Sequence, residues 1–78
     1  MKLEVIIGTE ESSKGRLFEN IKEAAFYMHY NELQASLLLQ DKLGVKIESQ
    51  PKYENEIKRI VYKNELGEKR YYILKITN

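Results

Sequence analysis

The 78-residue sequence contains no cysteine. Disulfides are therefore excluded, as is any zinc site built on thiolates. There is one histidine, His29. A lone imidazole makes a metal site only if carboxylates converge on it, and the surrounding Tyr27, Tyr30 and Glu32 give no such spacing. No apolar run approaches the ~20 residues that a membrane-spanning helix needs. The N-terminal stretch MKLEVIIGTEE has one lysine and a short apolar patch interrupted by Glu4, too short and too acidic for a signal peptide. The expectation is a cytoplasmic protein with no membrane, metal or cofactor. No internal repeat, linker or low-complexity segment divides the chain, so residues 1–78 are read as a single domain. A chain of this length buries only about 60–65% of its unfolded surface. Its stability must come from one well-packed core, completed where necessary by a partner or a second copy.

Charge of either sign is nearly balanced, with a net +1. Its distribution is uneven. Residues 57–78 carry six basic side chains (Lys58, Arg59, Lys63, Lys69, Arg70, Lys75) against two acidic ones, while residues 1–56 are net acidic. The basic third is where a polyanion would bind.

Hydrophobic patterning gives the elements. Leu3, Val5 and Ile7 alternate with Lys2, Glu4 and Ile6, which predicts a strand ending at Gly8. TEESSKG then reads as loop. Phe18, Ile21, Ala25 and Met28 are spaced for an amphipathic helix from about Gly15 to His29, with Ser12 or Ser13 as N-cap. The stripe breaks at Glu32 and restarts at Leu33, Leu37 and Leu38. Asn31 with Gln34 resembles a capping box, and Tyr30 with Ala35 is placed for a hydrophobic staple. A second helix over about 32–43, ending at Gly44, is therefore favoured over one long kinked helix. VKIES alternates as a strand, QPKYENE is a polar connection, and IKRIVYK and RYYILKI flank a hairpin turn at Gly67. The predicted order is β-α-α-β-β-β. The fold class is α+β, a mostly antiparallel sheet with the helices packed on one face. The runner-up is a winged helix, with residues 50–60 as recognition helix and the C-terminal hairpin as wing; the β-branched pair Ile60–Val61 favours strand there.

The segment VIIGTEESSKGRLF outlines a strand, a Gly- and Ser-rich loop and a helix, as a phosphate-binding loop would. The match fails in detail. Such a loop needs glycine followed at once by lysine and then Ser or Thr. Here Lys14 precedes Gly15, no hydroxyl follows, and Glu10 and Glu11 would repel phosphate. His29 is read as a cap for helix carbonyls. Ser12, Ser13 and Ser36 have no neighbouring base, and Glu19 and Glu23 are explained by local pairing with Arg16 and Lys22. No catalytic residue is assigned.

Two binding readings remain. In the C-terminal hairpin Arg59, Lys63, Tyr71 and Lys75 share the outward face, with Lys69 and Arg70 at the turn end. Cations with an exposed aromatic are the ingredients of nucleic-acid recognition on a sheet. Glu4 and Glu48 share that face and dilute it. The same face carries Ile6, Val61, Tyr71 and Ile73, an apolar patch with a charged rim, as protein contacts have. The run of leucines at 37–39 and the six tyrosines point the same way. The favoured expectation is a small non-catalytic regulator, adaptor or inhibitor, of a size common in phages and mobile elements. It would bind a protein partner or form a homodimer through Val61, Tyr71, Ile73 and Ile6. The alternative is nucleic-acid binding through Arg59, Lys63, Arg70, Tyr71 and Lys75.

Overall fold

A computed structural model describes residues 1–38 and 43–77. The elements are β1 (Leu3–Thr9), β2 (Ser13–Phe18), α1 (Ile21–Leu38), β3 (Val45–Glu48), β4 (Glu56–Lys63) and β5 (Lys69–Ile76). The strands form one antiparallel sheet in the order β2-β1-β5-β4-β3, and α1 crosses one face of it. This is the α+β arrangement expected.

Alternation along the strands builds the core. Leu3, Val5 and Ile7 stand opposite Ile76, Leu74 and Tyr72 on the helix side of the sheet. Ile60 lies beside Tyr72 on β4. Ala24 and Met28 of the helix close over them, and Leu3, Val5, Ala24, Met28, Ile60, Tyr72 and Leu74 form the buried cluster. Each large side chain so buried contributes about 1.5–3 kcal/mol, and Phe18, Tyr27, Ala35, Tyr62 and Ile76 extend the cluster at its edges.

The N-terminal half departs from the sequence reading in one linked error. The last three residues of the expected loop, Ser13 to Gly15, and the start of the expected helix are β2. A two-residue turn at Glu10 and Glu11 joins it to β1, closed by the Thr9 N–H donating to the Ser12 carbonyl at 2.8 Å and the Ser12 N–H donating to Thr9 Oγ1 at 3.2 Å. Gly8 has φ +154°, and a Cβ there would collide with the backbone of Ser12 and Ser13. The strand therefore does not end at Gly8; the glycine lets it pass into a tight hairpin. The helix starts after Asn20, not after Ser12 or Ser13. The Lys22 and Glu23 N–H groups donate to Asn20 Oδ1 at 2.8 and 3.2 Å, so Asn20 is the N-cap.

With the start moved, the buried stripe moves too. Ala24 and Met28 face the core, while Ile21 and Ala25 are exposed. One helix runs from Ile21 to Leu38 where two were favoured. Asn31 does not restart it: its Nδ2 donates to the Tyr27 carbonyl at 2.8 Å, within the helix. Tyr30 stacks on Phe26 rather than stapling to Ala35. The expected continuation to residue 43 falls on residues 39–42, outside the described residues. The order is β-β-α-β-β-β. The winged-helix alternative fails because residues 56–63 are a strand in the middle of the sheet's C-terminal half.

Candidate functional site

The sheet face turned away from α1 carries most of the residues singled out from sequence. Ile6 stands opposite Ile73, Ile73 opposite Arg59, Tyr71 opposite Val61, and Lys75 opposite Glu4. Ile6, Tyr71 and Ile73 are half-buried. Val61 is completely buried, so it presents nothing to a partner. Arg70 lies on the other face, with the helix, where its cation opposes the rise that burial imposes on the Tyr72 hydroxyl.

Arg59 dominates this face and is itself buried. Its Nη1 donates to Glu56 Oε2 at 2.8 Å and its Nε to Glu48 Oε1 at 3.1 Å. The guanidinium lies 5.6 Å from the Tyr71 ring centre and 5.9 Å from that of Tyr53. Two strand irregularities bring the carboxylates there. Lys46 pairs with Tyr62 on the helix side, yet Glu48, two residues on, pairs with Val61 on the opposite side. Likewise Lys58 pairs with Leu74 on the helix side while Glu56 pairs with Lys75 on the opposite side. A β-bulge at each place inserts one residue and turns the next acidic side chain over. Glu56 Oε1 also accepts the Lys52 and Tyr53 N–H groups at 2.8 and 3.2 Å, which fixes the connection that lays Tyr53 beside Arg59.

The electrostatics follow from this geometry. Burial alone would raise the Glu56 pKa, but the two amides and the Arg59 cation outweigh it and hold it below the ordinary carboxylate range. Burial alone would lower the Arg59 pKa, and the two carboxylates outweigh that and raise it. Tyr71 is held protonated by burial and by donating to Glu10 Oε1 at 3.1 Å. Lys75 lies 3.9 Å from Glu4. Of the cations expected to meet phosphate, Arg59 is sequestered, Lys75 is paired and Arg70 is on the other face. Lys63 is exposed at the turn end opposite Lys69.

A different surface is open. Phe26, Tyr30, Leu33 and Leu37 are 72%, 50%, 48% and 65% exposed. Their spacing of four, three and four residues places them on one stripe of α1, on the side opposite Ala24 and Met28. The helix is thus apolar on two faces, and only one is used by the core. Sequence reasoning missed this because the stripe belongs to one continuous helix; dividing the segment at residue 31 separated Phe26 and Tyr30 from Leu33 and Leu37.

The stripe runs into an apolar groove of about 380 Å³ between α1 and β2, lined by Arg16, Phe18, Lys22, Glu23, Phe26, Tyr27 and Tyr30. Phe18 and Tyr27 form its floor, with ring centres 5.2 Å apart. The Arg16 guanidinium covers both rings, at 5.4 and 4.9 Å. On the other flank of the helix Tyr62 donates a hydrogen bond to Glu32, and the Lys46 ammonium lies 5.8 Å from the Tyr62 ring. His29 Nδ1 is 4.0 Å from Glu32. His29 sits in the middle of α1 with an exposed side chain, so it does not cap helix carbonyls. Glu32 here ties the helix to β4; burial and the bond to Glu32 hold Tyr62 protonated well above the usual tyrosine range. Among the described residues no group of three or more His, Asp or Glu side chains could hold a metal ion, and no helix is long and apolar enough to cross a membrane. Comparison with known protein families, curated proteins and solved structures finds no match to this chain.

Proposed function

We propose that the protein is a non-catalytic binding module that acts through protein–protein contact, and that its contact surface is the outer face of α1. The observation that carries this reading is the exposed stripe Phe26, Tyr30, Leu33 and Leu37, set directly opposite the core-facing side of the helix. An apolar seam with aromatic members is what a helix presents to a partner, and solvent alone gives no reason for it. It replaces the sheet patch as the surface favoured, because Val61 is buried and Arg59 is held by its own carboxylates. Nucleic-acid binding has less support: the cations of the C-terminal hairpin do not form an open track.

Affinity capture from cells expressing the protein tests the reading. The wild type is compared with the double variant Phe26→Ser, Leu33→Ser, whose circular dichroism and thermal melt are checked first. A protein retained by the wild type and lost by the folded double variant is expected. A partner that survives the double variant and is lost on Ile73→Glu would move the contact to the sheet.

A further inference from the structure

β2 ends the sheet, and among the described residues no strand covers its outer side. Its pairing with β1 shows which backbone groups are free. Thr9 and Ser12 form the hydrogen-bonded pair that closes the turn. In an antiparallel ladder bonded and non-bonded pairs alternate. From the register, Lys14, Arg16 and Phe18 bond to β1, and the N–H and C=O groups of Ser13, Gly15 and Leu17 point outward. The strand is unbroken by proline or bulge. Beside it, on the helix side, lies the aromatic groove of Phe18, Tyr27, Phe26 and Tyr30.

The charges around this edge are complementary to one kind of occupant. Lys14, Arg16 and Lys22 have no carboxylate within ion-pair distance among the described residues. Glu23 is the acidic side chain in the groove lining. A second copy pairing β2 against β2 antiparallel would set Lys14 opposite Arg16, or Arg16 opposite itself, on the same face. Like charges directly opposed across strands are destabilising. The same two cations that repel a copy attract a strand bearing carboxylates.

We infer that β2 takes an extended segment of a partner protein as a sixth strand. This rests on the protein-binding reading above and names its occupant. The segment carries acidic side chains at the alternate positions facing Lys14 and Arg16. The next residue on that face is aromatic or aliphatic and enters the groove between Phe18, Tyr27 and Phe26. Main-chain bonds to Ser13, Gly15 and Leu17 supply affinity, and the groove and cations supply selectivity.

The test uses the ¹⁵N-labelled full chain and short capped peptides. One alternates threonine with glutamate, glutamate and phenylalanine; the second is its reverse; a third has lysine for glutamate. One of the two acidic peptides is expected to slow amide exchange at Ser13, Gly15 and Leu17 while leaving Lys14 and Arg16 unchanged. Leu17→Pro removes an outward N–H without touching a β1–β2 bond, and it should weaken that peptide about tenfold. The lysine peptide should bind at least as poorly. Equal binding of the lysine peptide, or unchanged β2 amides with all three, overturns strand addition. Protection at β2 that grows with protein concentration and without peptide assigns the edge to a second copy instead. Shifts confined to Leu33 and Leu37 overturn strand addition and leave contact through α1 standing, to be decided by the capture experiment.

Discussion

Arg59 shows how a residue chosen for function can be spent on structure. A guanidinium taken out of water is tolerated only when its donors are matched by acceptors and its charge by opposite charge. Glu48 and Glu56 supply both, and Tyr53 and Tyr71 flank the cation. Glu56→Gln keeps the shape and removes the charge, so it is expected to cost about 2 kcal/mol in urea unfolding at neutral pH. The pH dependence has a definite sign. The folded pKa of Glu56 lies below its ordinary value of 4.5. The unfolded chain therefore binds more protons in that window, and the contribution is complete above 4.5 and is lost as pH falls through the folded value. The gap between wild type and Glu56→Gln should accordingly narrow when the melts are repeated at about pH 3. A gap that stays constant would mean that the cost comes from the amide set against the Lys52 and Tyr53 N–H groups and not from the lost charge. The shared face of Arg59, Tyr71 and Ile73 was legible from period-two alternation. Their burial was not, because it depends on two bulges, and a bulge leaves no mark in alternation except an apparent error of phase.

At the scale of elements, β1 and the sheet's C-terminal half were legible and β2 was not. VKIE, EIKRIVYK and KRYYILKI are rich in β-branched and aromatic residues, and Gly67 marks the turn, with φ +83°. SKGRLF has neither signal. It is a strand because it pairs with the edge of β1, whose Leu3 and Val5 are buried in the core, and because Phe18 packs at the end of that core with the Arg16 guanidinium over Tyr27. Tertiary context decides such a segment, and local propensity does not. The helix start was legible and was passed over: Asn20 with Glu23 three residues later is a capping signature. Asn20→Ala is expected to lower stability by about 1 kcal/mol, since it strips the acceptor from the Lys22 and Glu23 amides. Ser13→Ala, at an exposed strand position, should change it by less than about 0.5 kcal/mol. Equal effects of the two substitutions in thermal or urea melts would contradict the placement of the cap.

For the whole molecule, the arrangement of charge bears on the two binding readings more than its total does. Binding to a nucleic acid requires several cations free to replace counterions along a phosphate track, and the affinity then falls steeply with salt. The net charge of +1 gives no general attraction. On the face where the basic residues gather, Arg59 is bonded to two carboxylates and Lys75 lies beside Glu4, so a phosphate would have to displace partners already in place. The apolar surface lies on the opposite side of the molecule, along α1 and toward β2. Fluorescence anisotropy against labelled single- and double-stranded DNA and RNA, at about 50 and about 200 mM salt, should therefore show no binding at micromolar protein. Binding that weakens many-fold between the two salt concentrations, and weakens again in Lys63→Ala with Lys75→Ala, would reverse this conclusion. It would mean that the ion pairs of the sheet open to exchange carboxylate for phosphate. Binding lost on Arg16→Ala with Lys14→Ala would instead place the polyanion at the edge of β2, and the acidic strand inferred there would then have a competitor for the same cations.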